Sequence, residues 1–205
     1  MKQEERNRLQ REKIMSAALQ EFGEKSYAEA SINAICAADG ISKGNVYHYY
    51  KNKEALYLAC VSACFQKMQD YLEKQMPPME GTTDENLSLY FDTRLKFLEE
   101  YPCYQGIFHQ ATTYPPYDLR EQVMQIRASF DRFNFSVLQA ALKSERLREP
   151  VTYEDFAALQ KFYITYCNTT PLMEKAAAES PAAREALCRF WVDVLLHGVV
   201  VQTSP

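Results

Sequence analysis

Apolar positions in this chain recur at three- and four-residue intervals, the period of one helix face, and nowhere alternate as a strand would. Ile14, Ala17, Ala18 and Phe22 make the first such face, and Gly23 and Tyr27 are expected to end that helix. Ser31–Asp39 predicts a short helix, with Ser31 as N-cap and Gly40 just past its end to supply the left-handed residue. Ser42 is the expected N-cap of a second short helix, Lys43–Tyr49. Asn52 caps a longer one through Leu56, Cys60, Cys64 and Tyr71 to about Gln75, where Pro77-Pro78 stops it.

The rest of the chain carries the same period. Thr82 and Glu85 have the spacing of a capping box, opening a helix to about Glu100. A short helix follows Pro102 to Ala111, and a long one is predicted from Asp118 to Leu147. Thr152 and Asp155 open another, to about Tyr166. Ser180-Pro181 starts the last, with proline in the first turn. The predicted fold is all-α: an N-terminal three-helix unit over residues 1–54 and a C-terminal helical domain over residues 55–205. No linker separates them, so the two are expected to be mechanically coupled.

Two short helices joined by a glycine-containing turn are the helix-turn-helix signature. The second is too short and too polar for a core element. Lys43 and Asn45 are candidate base readers, Lys toward guanine O6/N7 and Asn toward adenine N6/N7. Gly44 lets backbone approach DNA closely. Ser31 and Lys53 lie at helix N-termini, where amide groups and the helix dipole suit a phosphate. Ser31 serves equally as a plain N-cap. Val46, Tyr49, Tyr50 and Ile35 are expected in the core.

Residues Arg6 to Leu56 resemble the N-terminal domain of TetR-family transcriptional regulators. The matching residues are Ile14, Ala17, Ala18, Phe22, Tyr27, Ser31, Ile32, Ile35, Gly40-Ile41-Ser42-Lys43-Gly44, Tyr47-His48-Tyr49-Tyr50, Lys53-Glu54 and Leu56. Asn45 stands where Thr or Ser is more usual, and Tyr50 where Phe is usual. The resemblance implies phosphate contacts for Tyr47 and His48, a homodimer on a near-palindromic DNA operator, and a small-molecule effector that releases a repressor.

Net charge is −4, which argues against a DNA binder until it is divided along the chain. Residues 1–54 carry +1 and the remainder −5. Phosphate attraction acts over a Debye length of about 8–10 Å. The local surface of Lys43, Lys51, Lys53, Arg6, Arg8 and Arg11 therefore decides. The N-terminus is charged throughout, without an apolar signal core, and no apolar run reaches a membrane span, so a cytoplasmic location is expected.

Beyond residue 54 lie 21 aromatic residues, ten of them tyrosine. Buried hydroxyls need partners, and a pocket for an aromatic or amphipathic ligand would use them. The resemblance puts that pocket between the fourth and eighth helices. Its candidates are Phe65, Tyr90, Arg94, Tyr104, Phe108, Tyr114, Phe130, Phe133, Asn134 and Tyr163. The plainer reading is that these aromatics fill helical cores.

The last helix is apolar in nearly every direction between Leu187 and Val201. One side would pack on its own domain and the other on a second subunit, with Gly198 allowing close approach. The family's dimer joins the last two long helices of each copy in a four-helix bundle. By that resemblance the pair is Tyr153–Thr169 with Pro181–Val201, and the interface residues are Phe162, Tyr166, Leu187, Trp191, Val194, Leu195 and Gly198.

His109, Asp118, Cys103 and Cys167 lack the spacing of a nucleophile, base and orienting group, and no phosphate loop, HExxH or dinucleotide fingerprint occurs. No enzyme, cofactor, catalytic residue or metal ligand is expected. Two alternatives stay open. Cys60 and Cys64, one helical turn apart, could make a thiol- or metal-responsive regulator on the same scaffold. The chain could also bind small molecules without reading an operator.

Overall fold

A computed structural model describes residues 3–142 and 147–199, apart from the side chains of residues 153, 163, 164, 167, 168 and 199. The described residues form α1 (Gln3–Glu24), α2 (Ile32–Ala38), α3 (Lys43–Tyr49), α4 (Lys53–Gln75), α5 (Thr83–Glu100) and α6 (Pro102–Thr113). A 3₁₀ turn at Tyr117–Leu119 follows, then α7 (Arg120–Ala141), α8 (Tyr153–Asn168), α9 (Pro171–Glu179) and α10 (Pro181–Val199).

Local chemistry accounts for most helix starts. Ser31 Oγ accepts from Ala34 N–H at 3.1 Å, and Ser42 Oγ from Asn45 N–H at 3.2 Å. Asn52 Oδ1 caps α4 through Ala55 N–H at 2.8 Å. The expected capping boxes are present at Thr82/Glu85 and Thr152/Asp155, each carboxylate accepting the backbone N–H and hydroxyl of its threonine. Gly40 sits at φ +61°, the left-handed conformation that ends α2.

Both predicted boundaries of the long helix shift inward, while α1 ends where the sequence predicts. α1 ends at Glu24, between Gly23 and Tyr27, and Gly23 lies in its last turn. Its missing Cβ serves a neighbour: a methyl there would collide with the Cys103 carbonyl of α6, and one at Gly106 with the Gly23 carbonyl. The long helix ends at Ala141 rather than Leu147. The Ala141 carbonyl accepts from Thr83 Oγ1 at 3.1 Å, and Leu147 and Val151 pack back against the cluster of Leu138, Leu142 and Phe156. Its start is also later, because a 3₁₀ turn occupies Tyr117–Leu119. The sequence reading left out α9, whose Thr170 cap and Pro171 in the first turn follow the same rules as the helices it found.

The chain divides into two compact units that do not follow the division at residue 54. One comprises residues 1–67 and 101–128, the other residues 68–100 and 129–205. In the first, α6 packs along α1, and Ile14, Phe22, Ile35, Val46, Leu56, Tyr57, Val61 and Ile107 are fully buried. In the second, α10 packs against α5, α8 and α9. Leu87, Leu138, Leu142, Phe156, Leu195 and Leu196 share one apolar cluster there. No helix among the described residues is long and apolar enough to cross a membrane.

Candidate nucleic-acid interface

Val46 fixes the orientation of α3: it is completely buried, while Lys43, Gly44, Asn45 and His48 are exposed and Tyr47 is 52% exposed. A seven-residue helix with one buried anchor presents the rest of its surface outward. The result is a short polar ridge carrying an ammonium, an amide, a phenol and an imidazole. Those groups match phosphate oxygens and the base edges of a major groove. His48 packs edge-on against Tyr49, which is half-buried. A Cβ at Gly44 would meet only Ser42 Oγ, at 3.9 Å.

The two residues expected at helix N-termini are engaged within the chain. Ser31 caps α2, and its own N–H donates to Glu21 at 3.1 Å. Lys53 Nζ lies 4.5 Å above the centre of the Tyr27 ring and donates to the Ala28 carbonyl at 3.4 Å. Tyr50 is buried as expected, but its hydroxyl has no hydrogen-bond partner. That is the consequence of tyrosine at a site where phenylalanine would fit without penalty.

The ten candidate ligand residues fall into both compact units. Phe65, Tyr104, Phe108 and Tyr114 belong to the first, and the other six to the second. Phe65 and Phe108 are buried edge to face, 5.7 Å apart. Tyr104 is half-buried, and burial pushes its phenol up to about 12. Tyr114 is 45% exposed beside His109. In the second unit Phe130 packs near Phe133. The Tyr163 side chain lies outside the described residues.

Tyr90, Arg94 and Asn134 come together in one buried polar network. Tyr90 donates to Asn134, and Arg94 Nη1 donates to the Tyr90 oxygen at 3.1 Å. Arg94 Nε reaches Glu185 at 2.5 Å, and Arg184 reaches the same carboxylate at 2.9 Å. Arg94 also lies over the rings of Tyr90 and Phe91. Burial works against the Arg94 charge, but Glu185, Tyr90 and Cys188 together outweigh it, and the proton is held more tightly than usual. Glu185 was not foreseen, because it is 91 residues from its partner.

Apolar residues of α8 and α10 sort into two stripes. Leu159, Phe162 and Tyr166 are exposed on α8, the last two with stacked rings. Phe190 and Val194 are exposed on α10, with Leu187 and Trp191 half-buried. Gly198 is exposed, and a Cβ there would meet nothing in the chain. Leu195 departs from the expected interface set: it is 9% exposed and belongs to its own chain's core with Leu196. The outer stripe is Leu187, Phe190, Val194 and Gly198, at i, i+3, i+7 and i+11.

Cys60 and Cys64 are completely buried free thiols. Burial pushes both upward, away from the thiolate that a reactive cysteine needs. Among the described residues no group of three or more His, Cys, Asp or Glu could hold a metal ion.

Comparison with known proteins places this geometry. The family described as "Bacterial regulatory proteins, tetR family" matches residues 14–60, which span α2 and α3. The chain is 37% identical to the HTH-type transcriptional regulator UidR of Escherichia coli over 71 residues, 35% of each protein. It is 34% identical over 62 residues to IcaR of Staphylococcus epidermidis, a negative regulator of a biofilm operon, covering 30% of this chain and 34% of that one. These alignments span about a third of each relative's length. The fold likeness extends further. FadR of Bacillus subtilis, solved with stearoyl-CoA, matches with a TM-score of 0.66 at 18% identity, over 91% of this chain and 97% of that one. A helix-turn-helix unit on an all-helical scaffold defines a class of DNA-binding regulator. Residues 14–60 match that family's model, and over the rest of the chain the likeness is one of fold.

Proposed function

We propose that the chain is a sequence-specific transcriptional regulator, acting in the cytoplasm as a homodimeric repressor released from a palindromic operator by a small molecule. The exposed ridge of Lys43, Asn45, Tyr47 and His48, anchored by buried Val46, carries this reading. Two such ridges, related by the dimer's two-fold axis, read two half-sites one helical turn apart. The outer stripes of α8 and α10 supply the contact between copies. FadR's complex with stearoyl-CoA supports an amphipathic effector and makes acyl-CoA thioesters the first compounds to test.

Release requires the effector to favour a conformation in which the two ridges no longer match the half-sites, with α4 as the shifting element. A swing from 1:99 to 99:1 needs roughly 10⁴-fold preference, about 5.5 kcal/mol. Operator DNA must then weaken effector binding by the same factor.

The test is selection of duplexes from a random pool, followed by titration at two salt concentrations. Enrichment of an inverted repeat, bound by two copies per site, is the expected result. Equal, salt-sensitive binding to all duplexes would overturn the operator reading.

A further inference from the structure

We infer that Gln110 is a positioning residue for operator binding, acting on Lys53 through the backbone and ring of Tyr27. The inference rests on the proposed reading of α3 and Lys53 as the DNA face.

The last carbonyls of a helix have no partner within it. In α1 they are satisfied from another helix. Gln110 Nε2 of α6 donates to the Phe22 carbonyl at 2.8 Å and to the Lys25 carbonyl at 3.0 Å. Its Oε1 accepts from Tyr27 N–H at 3.2 Å. One amide thus uses both its donor and its acceptor ends on the segment where α1 stops and the chain turns toward α2. The contact is possible because α6 approaches backbone to backbone at Gly23 and Gly106, one turn before Gln110.

Tyr27 passes this placement on. Its ring packs against Phe22 and Tyr57, and the Lys53 ammonium rests on it at 4.5 Å. The next carbonyl, Ala28, accepts from the same ammonium. Lys53 is the first residue of α4, directly after the turn that follows α3. The Tyr27–Ala28 segment therefore decides where that positive charge sits beside the reading ridge. Gln110 decides where the segment sits.

The test uses the selected duplex, wild type, Gln110→Ala, Gln110→Met, Lys53→Ala and the double variant Gln110→Ala/Lys53→Ala. Gln110→Met keeps the volume and loses all three hydrogen bonds, so it stands in should the alanine variant fold poorly. Each dimer loses two phosphate contacts if Lys53 is displaced. The slope of log K against log salt should then fall by about 1.8 in magnitude in the Gln110 variants, as in Lys53→Ala. The double variant should lose no more than Lys53→Ala alone. Affinity for the duplex at physiological salt should drop about tenfold or more. A mainly structural role for Gln110 would lower the melting temperature and leave the salt slope unchanged, which would overturn the inference. Additive losses in the double variant would overturn it as well. Failure of the wild type to select any duplex would remove the DNA reading itself, and this inference with it.

Discussion

The ridge of α3 and the outer stripes of α8 and α10 are both exposed and both aromatic, yet they differ in what water does to them. Tyr47 and His48 end in groups that water hydrates well, and Lys43 and Asn45 flank them. Such a face stays open without penalty and releases its hydration only to an equally polar partner. Phe162, Leu159, Phe190 and Val194 have no polar ends, and their exposure is unfavourable until something apolar covers them. The first surface suits a partner that comes and goes. The second suits one that stays. The proposed function needs both: a permanent dimer that sets the spacing, and reversible contacts that read the sequence.

The strongest way to break that contrast is a charge in the lasting surface. Val194→Glu should bury an unpaired carboxylate twice in a two-fold interface, at about 3–5 kcal/mol for each. Sedimentation should show monomers, and operator binding should vanish with the dimer. An intact dimer would remove Val194 from the interface.

Next in size is the network inside the second unit. Glu185→Ala strands the Arg94 charge and should destabilise the chain by about 3–5 kcal/mol in chemical denaturation. A single variant that unfolds like wild type would show that the pair is solvated.

The reversible surface should respond with affinity rather than stability. Asn45→Ala and Tyr47→Ala should each cost roughly 1–3 kcal/mol in operator binding, with little change in melting because both lie on the exposed face of α3. Asn45→Ala should also relax the base preference at one position of each half-site, while Tyr47→Ala should weaken all sequences alike. Identical binding profiles for the two variants would erase the distinction between base and phosphate contact.

Two smaller effects concern the scaffold. Tyr50→Phe removes a buried hydroxyl without a partner and should raise stability by about 1 kcal/mol. The capping carboxylates of Glu85 and Asp155 sit below the usual range because their threonines donate to them. Their contribution is present above the unfolded carboxylate pKa and is lost as pH falls through the lowered folded value. Glu85→Gln should flatten the acid limb of the stability curve slightly.

Much of this was legible because caps are local. Ser31, Ser42, Asn52, Thr82 and Thr152 each satisfy a donor three residues away, so α2, α3 and the starts of α4, α5 and α8 could be read directly. Thr170 and Pro171 carried the same signal for α9, and the prolines around it masked a helix of only nine residues. Gly23 marks the end of α1 within one residue, and it also makes room for α6.

The chain's own order of residues determined the helix period, the caps, the polar face of α3 and the family likeness, because each depends on neighbours within a few positions. Only the tertiary structure decided which side of α10 faces inward, who partners Arg94, and that Gln110 of α6 closes the end of α1. Those choices join residues 85 to 91 positions apart, or rest on packing around a whole helix. A stripe of apolar residues states that burial will occur. The surface that buries it is specified only when the helices meet.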